Sequence, residues 1–137
     1  MAGPRQVIAK AGDLQIVLMD SISYANELDG GVFAVSGSHG GKSSGEITGL
    51  LPVAGAIFND AGVGKEKAGV AGLLAMDQKR IPAAAVSSES ARIGDAQDTW
   101  QSGIISHVNA TAAASGLEVG MRVEEALRGW LDRNSRS

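Results

Sequence analysis

Three apolar runs, each followed by a polar turn, constrain this chain most. Val32-Phe33-Ala34-Val35, Ala54-Gly55-Ala56-Ile57-Phe58 and Ile81-Pro82-Ala83-Ala84-Ala85-Val86 carry no charge. Such continuity suits strands buried on both faces, the habit of parallel sheets. Between the runs lie segments of helical spacing. Ile47, Leu50 and Leu51 stand at i, i+3 and i+4, and Pro52 ends that helix. Val70, Leu73 and Leu74 form the inward stripe of a second helix, over residues 62–78. The alternation predicts a parallel sheet with right-handed crossovers. Polar segments 36–43, 59–65 and 87–95 all follow strands. They should therefore share the sheet edge where open α/β folds bind ligands.

The flanks add less regular pieces. Residues 6–10 and 14–19 are β-like, with Gly12-Asp13 as the turn between them. Asp20 or Ser21 can cap a short helix over residues 22–28, which Asp29-Gly30-Gly31 breaks. Asp95 and Asp98 are cap candidates for a helix through Trp100. Segment 103–115 reads as a helix through Ile104, Val108, Thr111 and Ala112, with a short strand over 104–106 as the alternative. Val123, Ala126, Leu127, Trp130 and Leu131 make one stripe of a last helix, 122–133. The expected fold is one α/β domain over residues 1–137, with a mainly parallel or mixed sheet of about five strands and packed helices.

Composition narrows the function classes. No cysteine is present, which excludes disulfides, zinc-thiolate and iron–sulfur sites. Net charge is −3, with no basic stripe interleaved with aromatics, which counts against nucleic acid. No apolar run approaches the roughly 20 residues that span a membrane, and Met1-Ala2-Gly3-Pro4-Arg5 opens no signal-peptide core. A soluble cytoplasmic protein is expected.

The first polar turn invites a ligand. Ser36-Gly37-Ser38-His39-Gly40-Gly41-Lys42 follows a strand, and Ser43 with Glu46 has capping-box spacing. Strand, Gly-rich loop and helix N-terminus together favour an anion. Ser36, Gly37, Gly40, Gly41 and Ser43 would line that loop. The P-loop pattern needs a glycine at position 36, where Ser36 stands, so nucleotide binding ranks low. His39 could exchange protons there, and Ser38 could act as a nucleophile if a base reaches it. Asn59 and Asp60 end a buried strand, where a catalytic carboxylate or a helix cap would sit. His107 is either a second acid/base group or a half-buried histidine bonded to backbone. Lys65 opposes a helix dipole unless it meets an anion, and Arg92 could clamp one or pair with Asp95. No H-x-x-x-H or H-x-E spacing supports a metal, and no cofactor is expected.

Residues 31–86 also resemble the swivelling-domain small subunit of aconitase-X-type dehydratases. The likeness lies in the order of pieces: GGVFAVSG, GGKSSGE opening a helix, GAIFNDAG, AGVAGL and IPAAAVS. By that resemblance Ser43 and Ser44 match a serine-rich loop that positions the substrate's anionic group. His39 and Lys42 depart from that loop, and residues 87–137 have no counterpart.

Two functions follow as expectations. One is a small-molecule enzyme, or the small subunit of a larger one. It would act on a carboxylate- or phosphate-bearing metabolite by acid/base chemistry of the lyase, isomerase or hydrolase kind. The other is a non-catalytic module that binds an anion or a partner. The apolar stripe ending in Trp130 and Leu131, large for so small a core, and the small-residue surface of Ala110–Ala114 also predict a homo-oligomer, a dimer or trimer with the 103–115 or the 122–133 helix at its interface.

Overall fold

The computed structural model describes residues 5–135, apart from the side chains of residues 65 and 66. Six strands form one sheet in sequential order. They are β1 (Arg5–Ala11), β2 (Leu14–Met19), β3 (Val32–His39), β4 (Gly55–Asn59), β5 (Ala83–Val86) and β6 (Ile105–Val108). β2 to β5 run parallel, while β1 and β6 pair antiparallel at the two edges. The helices are α1 (Lys42–Thr48), α2 (Ala71–Asp77), α3 (Ala96–Ser102), α4 (Ala110–Ala114) and α5 (Val123–Asn134). The α/β architecture is as expected, with one strand more.

Alternation along each strand builds two cores. Ile16, Leu18, Phe33, Val35, Ile57 and Val86 face Trp100, Val123, Leu127 and Trp130. Val17, Met19, Ala34, Ala56, Phe58 and Ala85 face Leu73 and Met76. The stripe of α5 therefore covers the protomer's own sheet, and Trp130 sets its edge against Phe33 at 4.9 Å between ring centroids. The five residues of the stripe are buried within the protomer.

Helix α1 reaches α2 through glycine. A side chain at Gly45 would overlap the Gly72 backbone, and one at Gly72 would overlap the Gly41 carbonyl. This close approach turns the small face inward and leaves Ile47, Leu50 and Leu74 exposed, contrary to the sequence reading. The capping box also fails to form. Gly41 is the N-cap without a side-chain bond, and Ser43 lies inside α1.

Three further helices expected from the sequence are replaced or shortened. Residues 22–28 hold only a 3-10 turn, Ile22–Tyr24. Side chains take over the backbone there, because Asp29 accepts from Asn26 N–H and Asn26 Oδ1 accepts from Leu28 N–H. Segment 103–115 splits into β6 and α4, close to the alternative strand. The open edge of β5 takes Ile105–Val108, a strand that begins and ends on β-branched Ile105 and Val108, and Asn109 then caps α4 through Ala112 N–H. The helix expected over 62–78 is a 3-10 segment, Lys65–Val70, followed by the shorter α2.

Asp29 also fastens β1. Arg5 donates to both its carboxylate oxygens, at 2.6 and 3.0 Å, although Asp29 is only 3% exposed. Burial pushes the Asp29 carboxyl up. The Arg5 and Asn26 hydrogen bonds and the Arg5 charge outweigh it, so the carboxyl ends below its usual range. A depressed folded-state value contributes stability that is complete above the unfolded carboxyl's pKa. That stability is lost as pH falls through the folded value. Urea midpoints measured from pH 6 down to pH 2 should therefore fall less steeply for Asp29→Asn than for the wild type.

Candidate functional site

The three polar segments do meet at the carboxyl edge of the parallel strands, but they close on one another. Gly94 N–H donates to Gly37 O at 2.7 Å, and Ser88 N–H donates to Asp60 Oδ1 at 3.0 Å. Asn59, fully buried, donates to Ala91 O and accepts from Ala61 N–H. The parallel strands are in sequential order, so no reversal opens the crevice that receives ligands in doubly wound sheets.

The first turn is committed in the same way. Most of it stays extended as the end of β3, where pairing with β4 slips between Val35 and His39. Ser36 Oγ donates to Ile57 O at 2.8 Å, and Ser38 Oγ accepts from Ile22 N–H at 2.9 Å. The N–H groups of Gly37, Gly40 and Gly41 donate to Asp20 O, Asn59 O and His39 Nδ1. Ser43 is exposed on α1. Arg92 is exposed too, and its backbone N–H donates to Asp98 Oδ2. Lys65's side chain lies outside the described residues.

His39 is exposed beside a shallow depression of about 260 Å³ lined by Ala61, Val63, Gly64, Ala68 and Gly69. Residues 61–64 all have left-handed φ, with Val63 at +69°. For a β-branched residue that is a strained conformation. Asp60 holds this turn, since its carbonyl accepts from Val63 N–H and its Oδ1 accepts from Gly62 N–H.

Asp60 is also where side chains assemble. Its Oδ2 accepts from Ser106 Oγ at 2.7 Å, and Ser106 Oγ lies 2.9 Å from His107 Nδ1. Asp60 is 5% exposed. A hydroxyl has one hydrogen. With that hydrogen on Asp60 rather than on the longer contact to Ala85 O at 3.4 Å, Ser106 accepts from His107 Nδ1–H, and in a neutral ring the lone pair then lies on Nε2. His107 borders an open depression of about 310 Å³ lined by Val70, Leu73, Leu74, Asp77, Val108, Asn109 and Ala110. This volume sits at the small end of ligand cavities. The two histidines line separate depressions, on strands three places apart, a backbone separation of about 14 Å at ordinary strand spacing. They do not form the acid/base pair that the sequence left open.

Two residues of this site escaped the sequence reading as site residues. Ser106 sits beside His107 on a strand that reads as a helix in the sequence. Asp77 ends α2, where a carboxylate opposes the helix dipole. That misfit was the available signal. Asp77 Oδ1 accepts from Thr111 Oγ1 at 2.7 Å and Thr111 N–H at 2.9 Å, tying α4 to α2. These bonds, with a further one from the Ala110 backbone N–H, lower the Asp77 carboxyl below its usual range.

Among the described residues, no three His, Cys, Asp or Glu side chains gather to hold a metal ion, and no helix is long and apolar enough to cross a membrane. Comparison with known protein families, with curated proteins and with solved structures finds no match to this chain.

Proposed function

We propose that this chain is a small-molecule acid/base enzyme of the lyase or isomerase kind, with His107 as the proton-transferring residue. The observation that carries this reading is the chain Asp60 Oδ2–Ser106 Oγ–His107 Nδ1 beside the 310 Å³ cavity. Ser106 and Asp60 are positioning residues. They hold the imidazole by one edge and leave Nε2 as a base able to take a proton from a bound molecule and return it. The buried carboxylate then steadies the imidazolium that forms, at one hydroxyl's remove. Dehydration, which the resemblance of residues 31–86 implies, is one reaction of this kind. The substrate's place in this reading is the cavity beside His107. The turn at residues 36–43 is set aside because its glycine N–H groups already have acceptors.

Deuterium incorporation tests the reading. The protein is incubated in deuterium oxide with a panel of small amines, hydroxy acids and carbonyl compounds, and exchange at carbon is followed by mass spectrometry. At least one compound should exchange, and His107→Gln should slow that exchange by about 10²- to 10⁴-fold. Ser106→Ala should slow it less and move its pH profile, an effect that a merely structural serine would not have. Equal rates in wild type and His107→Gln overturn the assignment. No exchange across the panel leaves a binding module instead of an enzyme.

A further inference from the structure

The cavity beside His107 differs from an anion site in what its walls can offer. Val70, Leu73, Leu74, Val108 and Ala110 are apolar. Asn109 is buried and its amide is fully used. Its Nδ2 donates to Leu73 O and Ile81 O, and its Oδ1 accepts from Ala83 N–H and Ala112 N–H. That leaves His107 and Asp77 as the polar side chains on the wall. In the neutral tautomer of the acid/base reading, His107 keeps its Nδ1 hydrogen on Ser106 and has the Nε2 lone pair to offer a ligand. Asp77 presents a carboxylate that accepts from Thr111 Oγ1, Thr111 N–H and the Ala110 backbone N–H, and a carboxylate's two oxygens have room for a further donor.

Both groups accept hydrogen bonds, and neither supplies one. Among the described residues, no Lys or Arg lines the cavity. A carboxylate or phosphate placed here would meet a like charge with no side-chain donor to balance it. A protonated amine would meet two acceptors, one of them negative, while its hydrocarbon body covers Leu73, Leu74 and Val108. Electrostatic complementarity selects between ligands of equal size in this way, partly by repelling the wrong one.

We infer that the cavity binds a small ammonium compound with a short apolar body, its nitrogen directed to Asp77 and its hydrocarbon held within reach of His107. This rests on the acid/base reading for the site and sets its ligand class apart from the anionic metabolite expected from the sequence.

Two probes of matched shape separate the classes: cyclohexylammonium and cyclohexanecarboxylate, titrated into the full chain and followed through backbone amide shifts. Cyclohexylammonium should shift Leu73, Leu74, Asp77 and His107 in a saturable way, and cyclohexanecarboxylate should leave them in place. Asp77→Asn should weaken the ammonium at least tenfold. That variant touches the cap of α4, so Leu74→Lys provides a second test at a residue that is 65% exposed. It should weaken the ammonium and admit the carboxylate. Saturable binding of the carboxylate by the wild type, or no saturable shift with cyclohexylammonium, overturns the ligand class. Either result leaves the proton-transfer reading standing if His107 still carries its proton on Nδ1. Loss of that proton position, whatever binds, sinks the proton-transfer reading on its own.

Discussion

Replacing Trp130 with alanine is expected to cost about 3–5 kcal/mol of unfolding free energy. Trp130 is 4% exposed and stands edge-on to Phe33, with an interplanar angle of 73°. The core it belongs to contains several alanines, Ala84, Ala96 and Ala126 among them, side chains too small to fill the space an indole leaves. The cavity would persist, and persistent cavities place large-to-small substitutions at the upper end of their range. Urea denaturation of the two proteins measures the difference. A loss below about 1 kcal/mol would mean that the ring contributes little to the protomer and belongs to a contact between copies. The substitution therefore separates the packing seen here from the oligomer that the stripe suggested in the sequence.

Gly72→Ala should cost about 3 kcal/mol, or prevent folding altogether. The added methyl would enter the Gly41 carbonyl, and both partners are backbone, which cannot rotate away. Separating α1 from α2 would also lift Leu73, the next residue, from the wall of the His107 cavity. Gly30→Ala is the matching control. Nothing lies within 4 Å of the position its methyl would take, so it should be neutral or stabilising by less than about 1 kcal/mol. Gly72→Ala with wild-type stability would contradict the helix packing described here.

These two residues also show where the sequence was readable. The strands at the centre of the sheet were legible because burial on both faces demands unbroken apolar runs, and β3, β4 and β5 carry them. Helix α5 was legible because one side faces the sheet and the other faces water. The cap of α3 was legible too, since Asp95 accepts from Asp98 N–H as its position suggested. Helix α1 was not. Periodicity weights large apolar residues, whereas α1 turns Gly45 and Thr48 inward and leaves Ile47 60% exposed. Residues 103–115 misled for a different reason. An alanine-rich tail and a helix-spaced stripe outweighed β-branched Ile104 and Ile105, and nothing local shows that β5 has an open edge.

The site divides in the same manner. Asp60 and His107 could each be singled out, one at a strand end and the other as one of only two histidines. Their partnership could not, because 46 residues separate Asp60 from Ser106 and the link depends on where β6 lands against β5. The glycines of residues 37–41 looked like a phosphate cradle. They allow close packing instead, with Gly37 pressed against Gly94 and Asp95, and Gly41 against the His39 ring. Glycine-rich turns meet both needs with the same residue type, and only the destination of their N–H groups tells them apart.

Nitrogen-15 NMR of the His107 ring tests the central claim most directly. Long-range proton–nitrogen correlations report which ring nitrogen bears the hydrogen in the neutral imidazole. The wild type should show the proton on Nδ1 and a bare Nε2, the less common form in free histidine. Ser106→Ala removes the hydroxyl that accepts that proton and leaves only the Asp60 carboxylate, 3.9 Å from Nδ1, so the Nδ1–H form should lose population to the Nε2–H form. A wild-type ring protonated on Nε2 when neutral, or a Ser106→Ala ring unchanged from wild type, would contradict the chain from Asp60 through Ser106 to His107.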